Sequence, residues 1–104
     1  MKKIYYLPNC GTCKKIIEAL PDKAEYQLQD IKTEPITAHQ LEELRQLAGS
    51  YEVLFSRRSR KYPPLKDQTL TEEDYRRLIL EEYTFLKRPV IVKDGLIFIA
   101  KSPV

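Results

Sequence analysis

The sequence predicts an α/β fold built from a β-α-β unit, a helical middle and a terminal β-β hairpin. Three observations predict it. The first thirty residues pass from a β-branched and aromatic run to an apolar spacing of helical period, and then back to alternation. Two apolar stripes of helical period, each preceded by a threonine cap, occupy the middle. Two further apolar runs, split by Asp94-Gly95, close the chain.

Ile4-Tyr5-Tyr6-Leu7 reads as the first strand, and Pro8-Asn9-Cys10-Gly11 breaks it. Ile16, Ile17 and Leu20 then share one face of a helix that ends at Pro21-Asp22. Ala24 to Ile31, with Tyr26, Leu28 and Ile31 as its apolar positions, is the second strand; the helical crossover makes it parallel to the first. Thr37 with Gln40 is a capping-box pattern that opens a helix with Leu41, Leu44, Leu47 and Ala48 inward, stopped by Gly49. Ser50 to Asp67 is less regular: Val53-Leu54-Phe55, the basic run Arg57-Arg58-Ser59-Arg60-Lys61, then Pro63-Pro64. Thr71 caps another helix, with Glu72, Glu73 and Asp74 suiting the positive end of its dipole and Tyr75, Leu78 and Ile79 inward. Arg88-Pro89 leads into Val90-Ile91-Val92, and the Asp94-Gly95 turn returns the chain as Leu96 to Ala100.

A chain of 104 residues suits one domain with one core, large enough to fold without disulfide staples. The cysteines therefore need another explanation. Hydrophobic residues at 42% and charged residues at 32% describe a globular protein rather than a disordered tail. A net charge of +3 permits an anionic ligand but lacks the strong basic stripe of a nucleic-acid binder. Arg57 to Lys61 with Tyr62 is the sort of basic run that ordinary surfaces carry, which argues against direct nucleic-acid binding. Met1-Lys2-Lys3 is followed by too short an apolar stretch for a secretory signal, and no run approaches the length of a membrane span. The expectation is a cytoplasmic protein with no membrane partner. In that reducing compartment a close cysteine pair is catalytic, redox-sensing or metal-binding rather than a staple.

The pair lies in "YLPNCGTCKK", with Cys10 at the strand-to-helix turn and Cys13 three residues on. A structural zinc takes about four ligands, and the chain offers two cysteines and the single His39, which reads as a solvated surface residue. No metal is expected. Two buried, inert thiols are the plainest alternative. Against it stands position, because free N–H groups and the positive helix end at Cys10 favour a thiolate there. Gly11 allows the backbone to approach a ligand, Thr12 contributes to the same turn, and Lys14 and Lys15 add positive charge. A Cys-x-x-Cys pair between the first strand and helix of a β-α-β unit is the context of a thioredoxin-like fold.

With these residues in hand, the chain resembles the ArsC/Spx family, thioredoxin-like proteins that include glutaredoxin-dependent arsenate reductases and the regulator Spx. The resemblance spans Ile4 to Lys101 and rests on three segments. "YLPNCGTCKK" is similar to the family's Pro-x-Cys-x-x-Cys/Ser loop. "LFSRRSRKYPPL" resembles the loop with an active-site arginine, aligned here with Arg58. "FLKRPVIVKDGLIFIAK" resembles the Arg-Pro strand and hairpin, which puts Arg88 on the second arginine and Pro89 on a proline expected to be cis. The resemblance implies thioredoxin-like parts at about 1–33 and 84–104, a helical insertion at about 34–83 within one domain, and a missing or truncated C-terminal helix.

It further implies a catalytic Cys10, with Cys13 as resolving or modulating thiol. Gly11, Thr12, Arg58, Arg88 and Lys101 would form an anion site, since helix N-termini and guanidinium forks both suit oxyanions. Three residues depart from the arsenate reductases: Cys13 stands for a serine, Lys101 for the third arginine, and Tyr6 for a histidine. The favoured reading is an enzyme, an arsenate reductase-like thiol oxidoreductase acting on a small oxyanion or on glutathione. It would bind no cofactor and would draw electrons from glutathione, glutaredoxin or thioredoxin. The alternative is an Spx-like regulator whose Cys10–Cys13 disulfide alters binding to the RNA polymerase alpha subunit.

Overall fold

A computed structural model describes residues 1–104. Met1–Pro35 together with Arg88–Val104 form one compact unit, and Ile36–Lys87 form a second. No helix is long and apolar enough to cross a membrane.

The first unit holds strand β1 (Lys2–Tyr6), helix α1 (Gly11–Ala19), strand β2 (Gln27–Asp30), and the hairpin of β3 (Val90–Lys93) and β4 (Leu96–Ile99). Sheet order is β2-β1-β3-β4, with β1 parallel to β2 and antiparallel to β3. The β-α-β crossover explains the parallel β1–β2 pair, and the tight Asp94-Gly95 turn makes β3 and β4 antiparallel. Both turn residues have positive φ, 49° and 85°, as a two-residue hairpin of this twist requires. Ile16, Ile17 and Leu20 pack with Ile4, Ile91, Tyr26 and Phe98, so one stripe of α1 covers the centre of the sheet.

Three strands differ in their bounds from the sequence expectation, β4 only in stopping at Ile99, before Ala100 turns the chain at φ 56°. β1 starts at Lys2 and ends at Tyr6 because Lys2 and Lys3 pair with Lys93 and Val92, and Lys2 Nζ is held by Asp22 at 3.2 Å and Glu25 at 2.8 Å. Ladder partners outweigh the poor strand preference of lysine. β2 is shorter than Ala24 to Ile31, since Lys23–Glu25 form a 3₁₀ turn first. The alternation within it is also reversed. Leu28 is 47% exposed while Gln29 is 2% exposed. Leu28 aligns with Ile4 on the α1 side, but it sits on an edge strand outside the cluster that α1 covers. Gln29 lies beside Tyr5 on the other face and satisfies its amide by donating to the Glu34 carbonyl at 3.0 Å.

The second unit holds α2 (Ala38–Ala48) and α3 (Glu72–Glu81), with 3₁₀ turns at Glu52–Leu54, Pro63–Leu65 and Tyr83–Phe85. Thr37 and Gln40 form the reciprocal capping box, and Gly49 ends α2 at φ 97°. Leu41 and Leu44 are buried, but Leu47 is 40% exposed, contrary to the predicted stripe. Two steps of three residues carry Leu47 about 120° round the helix from Leu41. Tyr75 and Ile79 are the buried residues of α3, and Leu78 is half-buried. Phe55 lies at the centre of an aromatic group, with ring centroids 4.9 Å from both Tyr75 and Phe85 and 6.0 Å from Tyr62.

The basic run is not a uniformly solvated face. Arg57 stacks near Phe55 and Tyr75 and donates to Glu52 at 3.2 Å and to the Tyr75 hydroxyl at 2.9 Å. Ser59 is buried and hydrogen-bonded to Thr84 at 2.6 Å. Arg57, Arg58, Arg60 and Lys61 are all exposed, and Arg57 is set apart by these contacts alone.

Candidate active site

Pro8-Asn9 ends the β1 ladder, and Cys10 caps α1 in extended backbone at φ −90° and ψ 115°. The cap position normally takes an oxygen side chain that accepts from the third helical N–H. Here sulfur does so: the Cys13 N–H donates to Cys10 Sγ at 3.4 Å. Cys10 N–H donates to the Leu7 carbonyl at 3.1 Å, which closes the turn. The first turn of α1 carries no acidic residue, so nothing offsets the positive helix end. Gly11 and Thr12 are exposed, and a side chain at Gly11 would meet only open space.

The two thiols are set apart electrostatically. Burial pushes the Cys10 thiol up, but the Cys13 N–H, the Cys13 thiol, the Thr12 N–H and the Arg88 charge outweigh it and hold Cys10 below the ordinary thiol value. Cys13 is 0% exposed, and burial pushes it up to about 12, against the opposing pull of the Leu7 N–H. The neighbouring Cys10 thiol contributes to the same rise. The two thiols are therefore shifted in opposite directions, Cys10 toward its anion and Cys13 toward its protonated form. Both are free thiols.

Strand register decides which distant residues join them. Tyr5 of β1 pairs with Val90, and Val90 with Ile99, so the end of β1, the start of β3 and the end of β4 share one end of the sheet. Arg88 and Pro89 immediately precede β3, and Lys101 follows β4. The Arg88–Pro89 bond is cis, and the fully buried Pro89 accepts from Ala100 N–H at 2.8 Å. Arg88 is half-buried, and its charge favours the anionic form of both thiols. Lys101 is exposed just beyond Ala100, which turns the chain at φ 56°. Cys10, Gly11, Thr12, Cys13, Arg88, Pro89 and Lys101 thus belong to one end of the first unit. Arg58 belongs to the second unit, where its N–H donates to Ser56 Oγ at 3.3 Å.

Sequence reasoning missed Leu7, whose backbone carbonyl and N–H serve Cys10 and Cys13. No side-chain signal marks a backbone donor. His39 is exposed in the first turn of α2, and no three His, Cys, Asp or Glu side chains cluster as metal ligands.

A capping cysteine between the first strand and helix, set beside a strand that opens with a cis-proline, defines a thioredoxin-like α/β protein. The chain belongs to the ArsC family, whose sequence model matches residues 5–102. An uncharacterized protein of Haemophilus influenzae is 29% identical over 99 residues, covering 91% of this chain and 86% of its own. The structure of a possible arsenate reductase from Streptococcus mutans is 29% identical, covers 94% of this chain and 87% of its own, and superposes with a TM-score of 0.76. An arsenate reductase from Vibrio cholerae, 19% identical over 92% of this chain and 86% of its own, has a TM-score of 0.79 and bears on the fold alone.

Proposed function

We propose that this chain is a thiol-dependent oxidoreductase of the arsenate reductase type, with Cys10 as nucleophile. The observation that carries the reading is the capping Cys10 sulfur, held toward its anionic form by the Cys13 and Thr12 N–H groups, the Cys13 thiol and Arg88. The thiolate is the nucleophilic form, so a depressed cysteine is the one that attacks. Family membership and the 29% identical possible arsenate reductase among its structural neighbours support the same reading.

With arsenate as substrate, Cys10 Sγ bonds to arsenic and one arsenate oxygen leaves as water. A second thiol then attacks the Cys10 sulfur. The S–As electron pair leaves with arsenic, which departs as arsenite, and a disulfide remains. Two thiols have supplied two electrons. The α1 N-terminus, Arg88 and Lys101 hold the oxyanion in this reading, and the resemblance of its segment adds Arg58. Glutathione, glutaredoxin or thioredoxin supplies the attacking thiol or reduces a Cys10–Cys13 disulfide, and the reducing cytoplasm is the compartment that such chemistry needs.

Arsenate-dependent NADPH consumption, coupled in turn to the glutaredoxin and thioredoxin systems, tests this. Turnover is expected with one of them and none in Cys10→Ser; full activity in that variant overturns the reading. A second reading rests on the closeness of the two cysteines, one helical turn apart with the Cys13 N–H on the Cys10 sulfur at 3.4 Å, which suits a reversible Cys10–Cys13 disulfide. In it the chain is an Spx-like switch for the RNA polymerase alpha subunit. Equal capture of that subunit by the oxidised and reduced protein excludes the switch.

A further inference from the structure

The sheet has two free edges, and they differ in character. β2 presents Gln27, Leu28, Gln29 and Asp30, a polar edge of the kind that discourages pairing. β4 presents Leu96, Ile97, Phe98 and Ile99, with no charge, proline or bulge among them. Leu96 is 62% exposed and the other three are half-exposed.

The ladder decides which backbone groups that edge leaves open. Lys93 and Leu96 flank a two-residue turn and exchange both hydrogen bonds, as do Ile91 and Phe98 two residues further along. The bond from Ala100 N–H to the Pro89 carbonyl continues the same phase. The N–H and C=O of Ile97 and Ile99 therefore point away from β3. Buried or paired sheets satisfy such groups, and an open edge is a template for another strand.

We propose that β4 pairs antiparallel with β4 of a second copy of this chain, about a twofold axis at Phe98. In that register Ile97 of each copy faces Ile99 of the other, and all four outward groups on each copy gain partners. Shifting by one residue would oppose outward groups to inward ones. The register is self-complementary, as a twofold interface requires. The outer edge of β2 offers no comparable apolar run. Four residues per strand make a small interface, so the dimer is weak and concentration-dependent.

Sedimentation velocity over a concentration series, read together with amide exchange, tests it. The wild-type chain should pass from monomer to dimer as concentration rises, with the Ile97 and Ile99 amides gaining protection in step. Ile97→Pro removes an outward N–H without touching the β3 ladder, and should move the transition to at least about tenfold higher concentration. Leu96→Lys, a surface change that spares the backbone, should act in the same direction. A monomer throughout the series with unprotected Ile97 and Ile99 amides overturns the proposal. So does a dimer that both folded variants retain unchanged, because its interface then lies elsewhere.

Discussion

The backbone N–H of Cys13 donates to the sulfur of Cys10 at 3.4 Å, so the second cysteine serves the first through its main chain as well as its thiol. That arrangement separates the reactivity of the two. Iodoacetamide should modify Cys10 with a pH midpoint below the ordinary thiol value of about 8.5, while Cys13 should resist until strongly alkaline pH. Mass mapping of the alkylated peptide over a pH series reads both. In Cys13→Ala the N–H remains but the thiol donor is lost, and the Cys10 midpoint should rise.

Arg88 bears on Cys10 by its charge. Replacing it with glutamine should raise the Cys10 midpoint in the same alkylation assay. It should also lower kcat/KM for an oxyanion about tenfold or more, the scale of one lost charge-assisted hydrogen bond of about 2 kcal/mol. An unchanged midpoint in a folded variant would remove Arg88 from the electrostatics of the thiol.

Burial raises Cys13 to about 12 in the folded chain, above its unfolded value. The protonated thiol is thus the form that folding prefers. Its contribution is fully present below the unfolded thiol range and is lost as pH rises through the folded value. Cys10 has the opposite shift, so the effect is cleanest in a Cys10→Ser background. There, Tm should fall more steeply above about pH 8.5 than in the Cys10→Ser, Cys13→Ser double variant.

Adjacent arginines of the basic run should behave differently. Arg57 stacks near two rings and bonds to Glu52 and Tyr75, so Arg57→Gln should destabilise the chain by about 1 kcal/mol in urea unfolding. Arg58 is exposed, so Arg58→Gln should leave stability within about 0.5 kcal/mol. A loss of arsenate turnover in Arg58→Gln without loss of stability would support its place in the anion site.

The α2 capping box joins Thr37 and Gln40 by two 3.0 Å hydrogen bonds. Thr37→Ala should lower stability by about 1 kcal/mol and leave the alkylation behaviour of Cys10 unchanged. A shifted Cys10 midpoint would show that the cap also matters to the thiol.

Features governed by neighbours in sequence were legible from the start. Both threonine caps, the Gly49 stop, the Asp94-Gly95 turn and the place of Cys10 at the strand-to-helix turn each depend on a few consecutive residues. Features governed by partners far along the chain were not. Lys2 and Lys3 join β1 because β3 lies beside them, and Leu28 is left outside because α1 covers only the middle of the sheet. The basic run hid two kinds of arginine, since only the aromatic group around Phe55 tells Arg57 from Arg58.

By itself the sequence determined that a thiol would stand at the turn from a first strand into a helix, because free N–H groups and the helix dipole act within one turn. Tertiary structure alone decided that Arg88 and Lys101 come to the same end of the sheet as that thiol, and that Cys13 is buried and Cys10 is not. Strand register carries residues some ninety positions apart to one end of the sheet, and burial depends on what packs above them. Neither is written in local spacing.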